Sequence, residues 1–111
     1  MTLCRPALSR PLVVIARAHG IRVVLASVLP ARHYYWAPAV VPAPQIVKLN
    51  AWMKEYAAAQ ALPFVDCYTP MADGEGGLTP ALSRDGVHPT RAGYEVMAPL
   101  AERAVAAVLA K

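Results

Sequence analysis

The chain has 111 residues, 57% of them hydrophobic and 16% charged, with a formal net charge of +4 and a pI near 9.4. That is material for one small packed domain, and the composition excludes a disordered segment. The eleven basic residues are scattered without a run or a stripe, so the positive charge does not mark a nucleic-acid reader.

Residues 12–18 carry a short helical pattern, with Pro11 expected in the first turn and Gly20 as the C-terminal stop. The apolar core at 12–16 follows Arg5 and Arg10 and is closed at once by Arg17 and His19. It is shorter than a signal-peptide core and predicts a surface helix, not a targeting segment. No apolar run approaches the roughly 20 residues of a membrane span.

Residues 22–29 follow as a valine-rich run without alternation, which predicts a strand covered on both faces, the character of parallel strands in α/β sheets. Residues 30–44 are a proline-punctuated loop holding Arg32, His33, Tyr34, Tyr35 and Trp36. Over 45–60, Ile46, Leu49, Met53, Tyr56 and Ala57 recur at spacings of three and four and predict a helix. Residues 63–66 predict a second, short strand. Loops follow at 68–78 and 83–90.

The last helix is expected after Pro89, with Thr90 as its N-cap. Met97, Leu100, Ala101, Ala104, Val105, Val108 and Leu109 form the expected buried stripe, and Pro99 should kink or divide the helix. Helix, strand, helix, strand, helix contains one βαβ crossover, so the fold class is α/β with parallel strands. Two strands leave both sheet edges exposed, which makes the architecture look unfinished.

Ligands in open α/β sheets bind outside the carboxyl ends of the strands, where the loops after residues 29 and 66 and the 83–90 loop are expected to gather. Asp85 and His88 are three residues apart, with Gly86 between them to permit a tight turn. Such a turn brings the Asp85 carboxylate to Nδ1 of His88, fixes the tautomer, and leaves Nε2 free to take a proton from a serine hydroxyl. An isolated Asp-x-x-His is common, however, and by itself marks no more than a solvated or capping histidine. Cys4 and Cys67 make no disulfide framework, and His19, His33 and His88 lack metal-ligand spacing.

The longer string Asp85-Gly86-Val87-His88-Pro89-Thr90-Arg91-Ala92-Gly93-Tyr94 closely resembles the C-terminal block of the SGNH (GDSL-type) hydrolases. The string from Gly20 to Pro30 resembles that family's late strand and the loop after it. The resemblance runs from about residue 12 to the end. It implies the C-terminal part of a flavodoxin-like three-layer α/β/α sandwich, an esterase or acylhydrolase, with Asp85 and His88 as the acid and base of a catalytic triad. It implies a small ester substrate and requires no metal or organic cofactor. The family's nucleophile lies in a Gly-Asp-Ser block and its oxyanion hole uses a further glycine and asparagine block. Neither block is in this sequence.

The three serines are Ser9, Ser27 and Ser83, none preceded by Gly-Asp, and the only asparagine, Asn50, falls within the predicted helix. Ser27 is expected to pack in the strand, Ser83 to support the turn, and Ser9 to lie near a frayed terminus; none of them, nor either cysteine, is the expected nucleophile. Tyr34, Tyr35 and Trp36 could line an acyl pocket beside His88, or simply pack against their own loop. The chain thus reads as a single domain over residues 1–111 that lacks its N-terminal part. Its expected partners are a small ester and either the missing segment or a second copy paired at the exposed sheet edge. The alternative is a catalytically inactive fragment or interaction module of the same fold.

Overall fold

The computed structural model describes residues 6–110, with side chains from Arg10 onward; Cys4 and the side chain of Ser9 lie outside them. Helix α1 spans Pro6–Ala18, strand β1 Leu25–Ala26, helix α2 Ala43–Ala59, strand β2 Phe64–Val65 and helix α3 Arg91–Leu109. Two short 3₁₀ turns, Thr69–Met71 and Pro80–Leu82, lie between β2 and α3. The order matches the sequence pattern, and β1 and β2 pair in parallel with Leu25 opposite Phe64 and Ala26 opposite Val65.

Helix α1 starts earlier than its apolar pattern. Pro6 takes the first position, where a missing N–H costs nothing, and Pro11 falls inside the helix instead of in its first turn. The strand expected over residues 22–29 pairs only at its centre. Its hydrogen bonds to the β2 segment run from Leu25 N to the Pro63 carbonyl (3.0 Å) and from Ser27 N to the Val65 carbonyl (2.9 Å). Residues 22–29 are not covered on both faces either: Ala26 is exposed and none of the eight is buried. A parallel strand reaches full length and full cover only between neighbours, and here β1 has one, itself two residues long.

Side chains supply part of what a neighbouring strand would. Asn50 on α2 accepts from Val28 N (2.7 Å) and donates to the Val28 carbonyl (3.0 Å), satisfying both backbone groups of one residue leaving β1. Ser27 Oγ accepts from Cys67 N (2.8 Å) and Tyr68 N (3.0 Å), which binds the carboxyl ends of the two strands together.

Helix α2 buries Ile46, Met53 and Ala57 on the predicted face, with Leu49 and Tyr56 half-buried. Both α2 and α3 pack on β2, α1 packs on α2, and α3 also packs on the two 3₁₀ turns. Met71, in the first of those turns, is wholly enclosed. Helix α3 is a single element despite Pro99, which is exposed, so the carbonyl its missing N–H leaves free can turn to water. Its buried stripe is narrower than expected. Val108 is buried and Met97, Leu100 and Ala104 are half-buried, but Ala101 is exposed, as are Val105 (47%) and Leu109 (65%). Leu12, Val14 and Ile15 on α1 are likewise exposed, because none of the described residues covers those faces.

Candidate active site

The segment from Leu82 to Gly93 builds the site almost alone. Asp85 divides its carboxylate between two tasks. Oδ1 accepts from the backbone N–H groups of Val87 (2.9 Å) and His88 (2.8 Å), which bends the chain into a turn. Oδ2 lies 2.7 Å from Nδ1 of His88. Gly86 sits at φ +80°, a left-handed conformation that disfavours side chains, and so lets the turn close.

The turn is moored to the fold at both ends. Thr90 N donates to the Leu82 carbonyl (2.8 Å), and Ser83 forms an antiparallel bridge with Pro89. Thr90 caps α3 as predicted, its hydroxyl accepting from Gly93 N at 3.4 Å. Gly93 is buried, and its role is proximity. A Cβ there would stand 2.8 Å from Pro89 Cβ and 2.9 Å from the Leu82 carbonyl oxygen, so only glycine lets α3 come this close to the turn.

Three hydrogen bonds fix the charge state of Asp85. The backbone N–H of His88, the His88 imidazole and the N–H of Val87, in that order of effect, hold its carboxyl well below the usual carboxylate range. The acid therefore stays ionised wherever an imidazole would gain or lose its proton. An ionised carboxylate can only accept, so the hydrogen bond at Nδ1 places a ring proton on that nitrogen and turns Nε2 away from the carboxylate.

His88 is largely exposed and opens on a shallow cleft of about 570 Å³, lined by residues 84–85 and 88–92. One segment thus makes the whole wall. Tyr34, Tyr35 and Trp36 are not part of it. Tyr34 stacks on Trp36 with centroids 4.8 Å apart, Tyr35 meets the Trp36 ring edge-on, and Tyr35 and Trp36 are more than half exposed. The loop that carries the trio is anchored instead by Arg32, which bridges Asp73 (2.7 Å) and Glu75 (3.0 Å) in the loop after β2.

The structure also places the other nucleophile candidates. Ser83 is buried, and its hydroxyl donates to the His88 backbone carbonyl (2.7 Å), not to the imidazole. Ser27 Oγ accepts two N–H groups at the strand ends. Burial, with a lesser effect of Asp66, pushes the Cys67 thiol up, away from the thiolate a nucleophile needs. Among the described residues no cluster of three or more histidine, cysteine or acidic side chains could hold a metal ion, and no helix is long and apolar enough to cross a membrane.

Residues 10–96 match the GDSL-like lipase/acylhydrolase family. The chain belongs to this family. Its fold is close to that of a candidate acylhydrolase from Bacteroides fragilis, with a TM-score of 0.86 and 44% identity over 89% of this chain and 49% of that one. A GDSL-like lipase from Bacteroides thetaiotaomicron gives 0.83 and 43%, over 86% of this chain and 48% of the lipase. The esterase domain of the ORF1 protein from the zebrafish ZfL2-1 retrotransposon shares the fold alone, at 0.70 and 23% identity over 89% and 55% of the two chains. No curated protein matches the chain. This GDSL-type chain spans about half the length of the two Bacteroides structures it matches.

Sequence reasoning passed over one contributor to the site and gave only the general role of another. Gly93 stood in the quoted motif, but its reason is a contact with Leu82 and Pro89 that no local pattern encodes. Ser83 was expected only to support the turn. Its position two residues before the acid was the available signal, and the bond from its hydroxyl to His88 was not legible from it.

Proposed function

We propose that this chain supplies the acid–base arm of a carboxylic-ester hydrolase, with His88 as the base and Asp85 as the acid that orients it. The observation that carries the reading is the 2.7 Å contact between Asp85 Oδ2 and His88 Nδ1, with Oδ1 anchored to the backbone of the same turn. His88 Nε2 takes the proton of a serine hydroxyl as that oxygen attacks the ester carbonyl. It then returns the proton to the departing alkoxide, while Asp85 stays ionised and offsets the imidazolium charge. On the family resemblance, the serine would come from a Gly-Asp-Ser block and the further oxyanion donors from a glycine and an asparagine block, neither of which is in this sequence. The substrate class is a small ester, such as an acetylated sugar or a short acyl lipid; relatives described as an acylhydrolase and a lipase support that class.

A second reading, a catalytically inactive module of the same fold, is favoured by the commitments of Ser27 and Ser83, whose hydroxyls are both spent on backbone groups. Hydrolysis of p-nitrophenyl acetate separates the two. The chain is combined with a polypeptide carrying the family's Gly-Asp-Ser segment, beside the same mixture made with His88→Ala. Activity that falls by roughly 10³-fold or more in the variant is the expected result, the usual scale for loss of a triad member. Equal activity in the two mixtures refutes His88 as the base, and no activity in either supports the inactive module.

A further inference from the structure

The buried hydroxyl of Ser83 is spent inside the turn that carries Asp85 and His88. Ser83 is 5% exposed, and its Oγ touches three members of that turn. It donates to the His88 carbonyl at 2.7 Å, accepts from Gly86 N at 3.0 Å, and lies 3.4 Å from Asp85 Oδ1. A hydroxyl has one proton. The carbonyl takes it, because 3.4 Å is beyond the range of an O–H···O bond.

We infer that Ser83 is a positioning residue, whose hydroxyl locks the Asp85–His88 turn in the geometry that puts the imidazole on the carboxylate. The inference rests on the reading of this pair as an acid–base arm, and it goes beyond that reading by assigning the arm's orientation to a third side chain.

Gly86 reaches φ +80° with little cost, but glycine reaches many other conformations equally well and so cannot hold this one. The bond from Gly86 N to Ser83 selects it. At the other end of the turn, the bond to the His88 carbonyl fixes the peptide plane from which the imidazole projects. The Asp85 carboxylate also braces the turn, but less strongly once it is protonated. The Ser83 hydroxyl does so at any pH. Without it, Gly86 N and the His88 carbonyl lose their partner together, and the turn relaxes about its one pliable residue.

The test is ¹⁵N and ¹H NMR of the whole chain, following the Nδ1 proton of His88 and its exchange with water across pH. Two variants are compared with wild type, and thermal melting reports on the fold. Ser83→Ala removes the hydroxyl. Ser83→Cys keeps nearly the same volume with only a weak donor, so it retains the fold if alanine does not. Both should exchange the Nδ1 proton about ten-fold faster or more, the scale of one lost buried hydrogen bond. Ser83→Thr, which keeps the hydroxyl, should restore slow exchange. Wild-type exchange in Ser83→Cys, or fast exchange in Ser83→Thr with an intact fold, overturns the inference. The readout needs no catalysis, so failure of the esterase reading and failure of this one are told apart.

Discussion

Replacing Gly93 with alanine sets two effects of opposite sign against each other in the first turn of α3. Alanine is the better helix former by about 1 kcal/mol in a helix interior, and by less in a first turn. Against that gain stand three contacts. The new methyl would lie 2.8 Å from Pro89 Cβ, 2.9 Å from the Leu82 carbonyl oxygen and 3.0 Å from Met71 Cε. Met71 ends a flexible side chain, but it is wholly enclosed and has nowhere to go. Pro89 is a rigid ring, and the Leu82 carbonyl is backbone already engaged by Thr90 N at 2.8 Å. Something must move, and overpacking of this kind costs about 1–3 kcal/mol. The expected net is a destabilisation of about 1–2 kcal/mol, seen as a lower urea midpoint at unchanged slope. Because Pro89 adjoins His88, the imidazole resonances should shift as well. A Gly93→Ala chain as stable as wild type would refute the reasoning, by showing that α3 can back away from the turn at no cost.

Asn50→Asp keeps an acceptor for Val28 N but sets an oxygen against the Val28 carbonyl. It should lower stability at neutral pH by about 1–3 kcal/mol in thermal melts, and an unchanged melting temperature would remove the clamp from the account of β1. Asp85→Asn tests the lowered carboxyl. A carboxyl whose folded-state pKa lies below its ordinary value stabilises the fold above that value and loses the effect as pH falls toward the folded one. The stability gap between wild type and variant should therefore narrow as pH falls below about 4. A gap that stays constant down to about pH 2 would contradict the assignment.

What was legible in the sequence was local. The Thr90 cap, the apolar face of α2 and the Asp85–Gly86–His88 turn all depend on residues within a few positions of one another, and all three formed as their spacing predicts. The length of β1 was not legible, because pairing depends on what lies alongside, and valines at 23, 24 and 28 do not report whether a neighbour exists. The same holds for Val105 and Leu109, whose apolar character fits a buried stripe while their exposure depends on cover from elsewhere. Arg32 looked like one loop charge among several. Its bridges to Asp73 and Glu75 cross about forty residues, a distance no motif spans.

The division of the Asp85 carboxylate has a consequence for how such a centre can be assembled. Both of its oxygens find their partners within three residues, so the loop that must close is among the shortest a chain can make, and its entropic cost is correspondingly small. Asp85 and His88 therefore need no long-range order to meet. A serine contributed from elsewhere is a different problem, because its distance from Nε2 is set by the packing of whole layers. In an enzyme built this way, the relay is cheap to form and early to appear. Its reach toward the nucleophile is a separate coordinate, on which packing far from the turn can act.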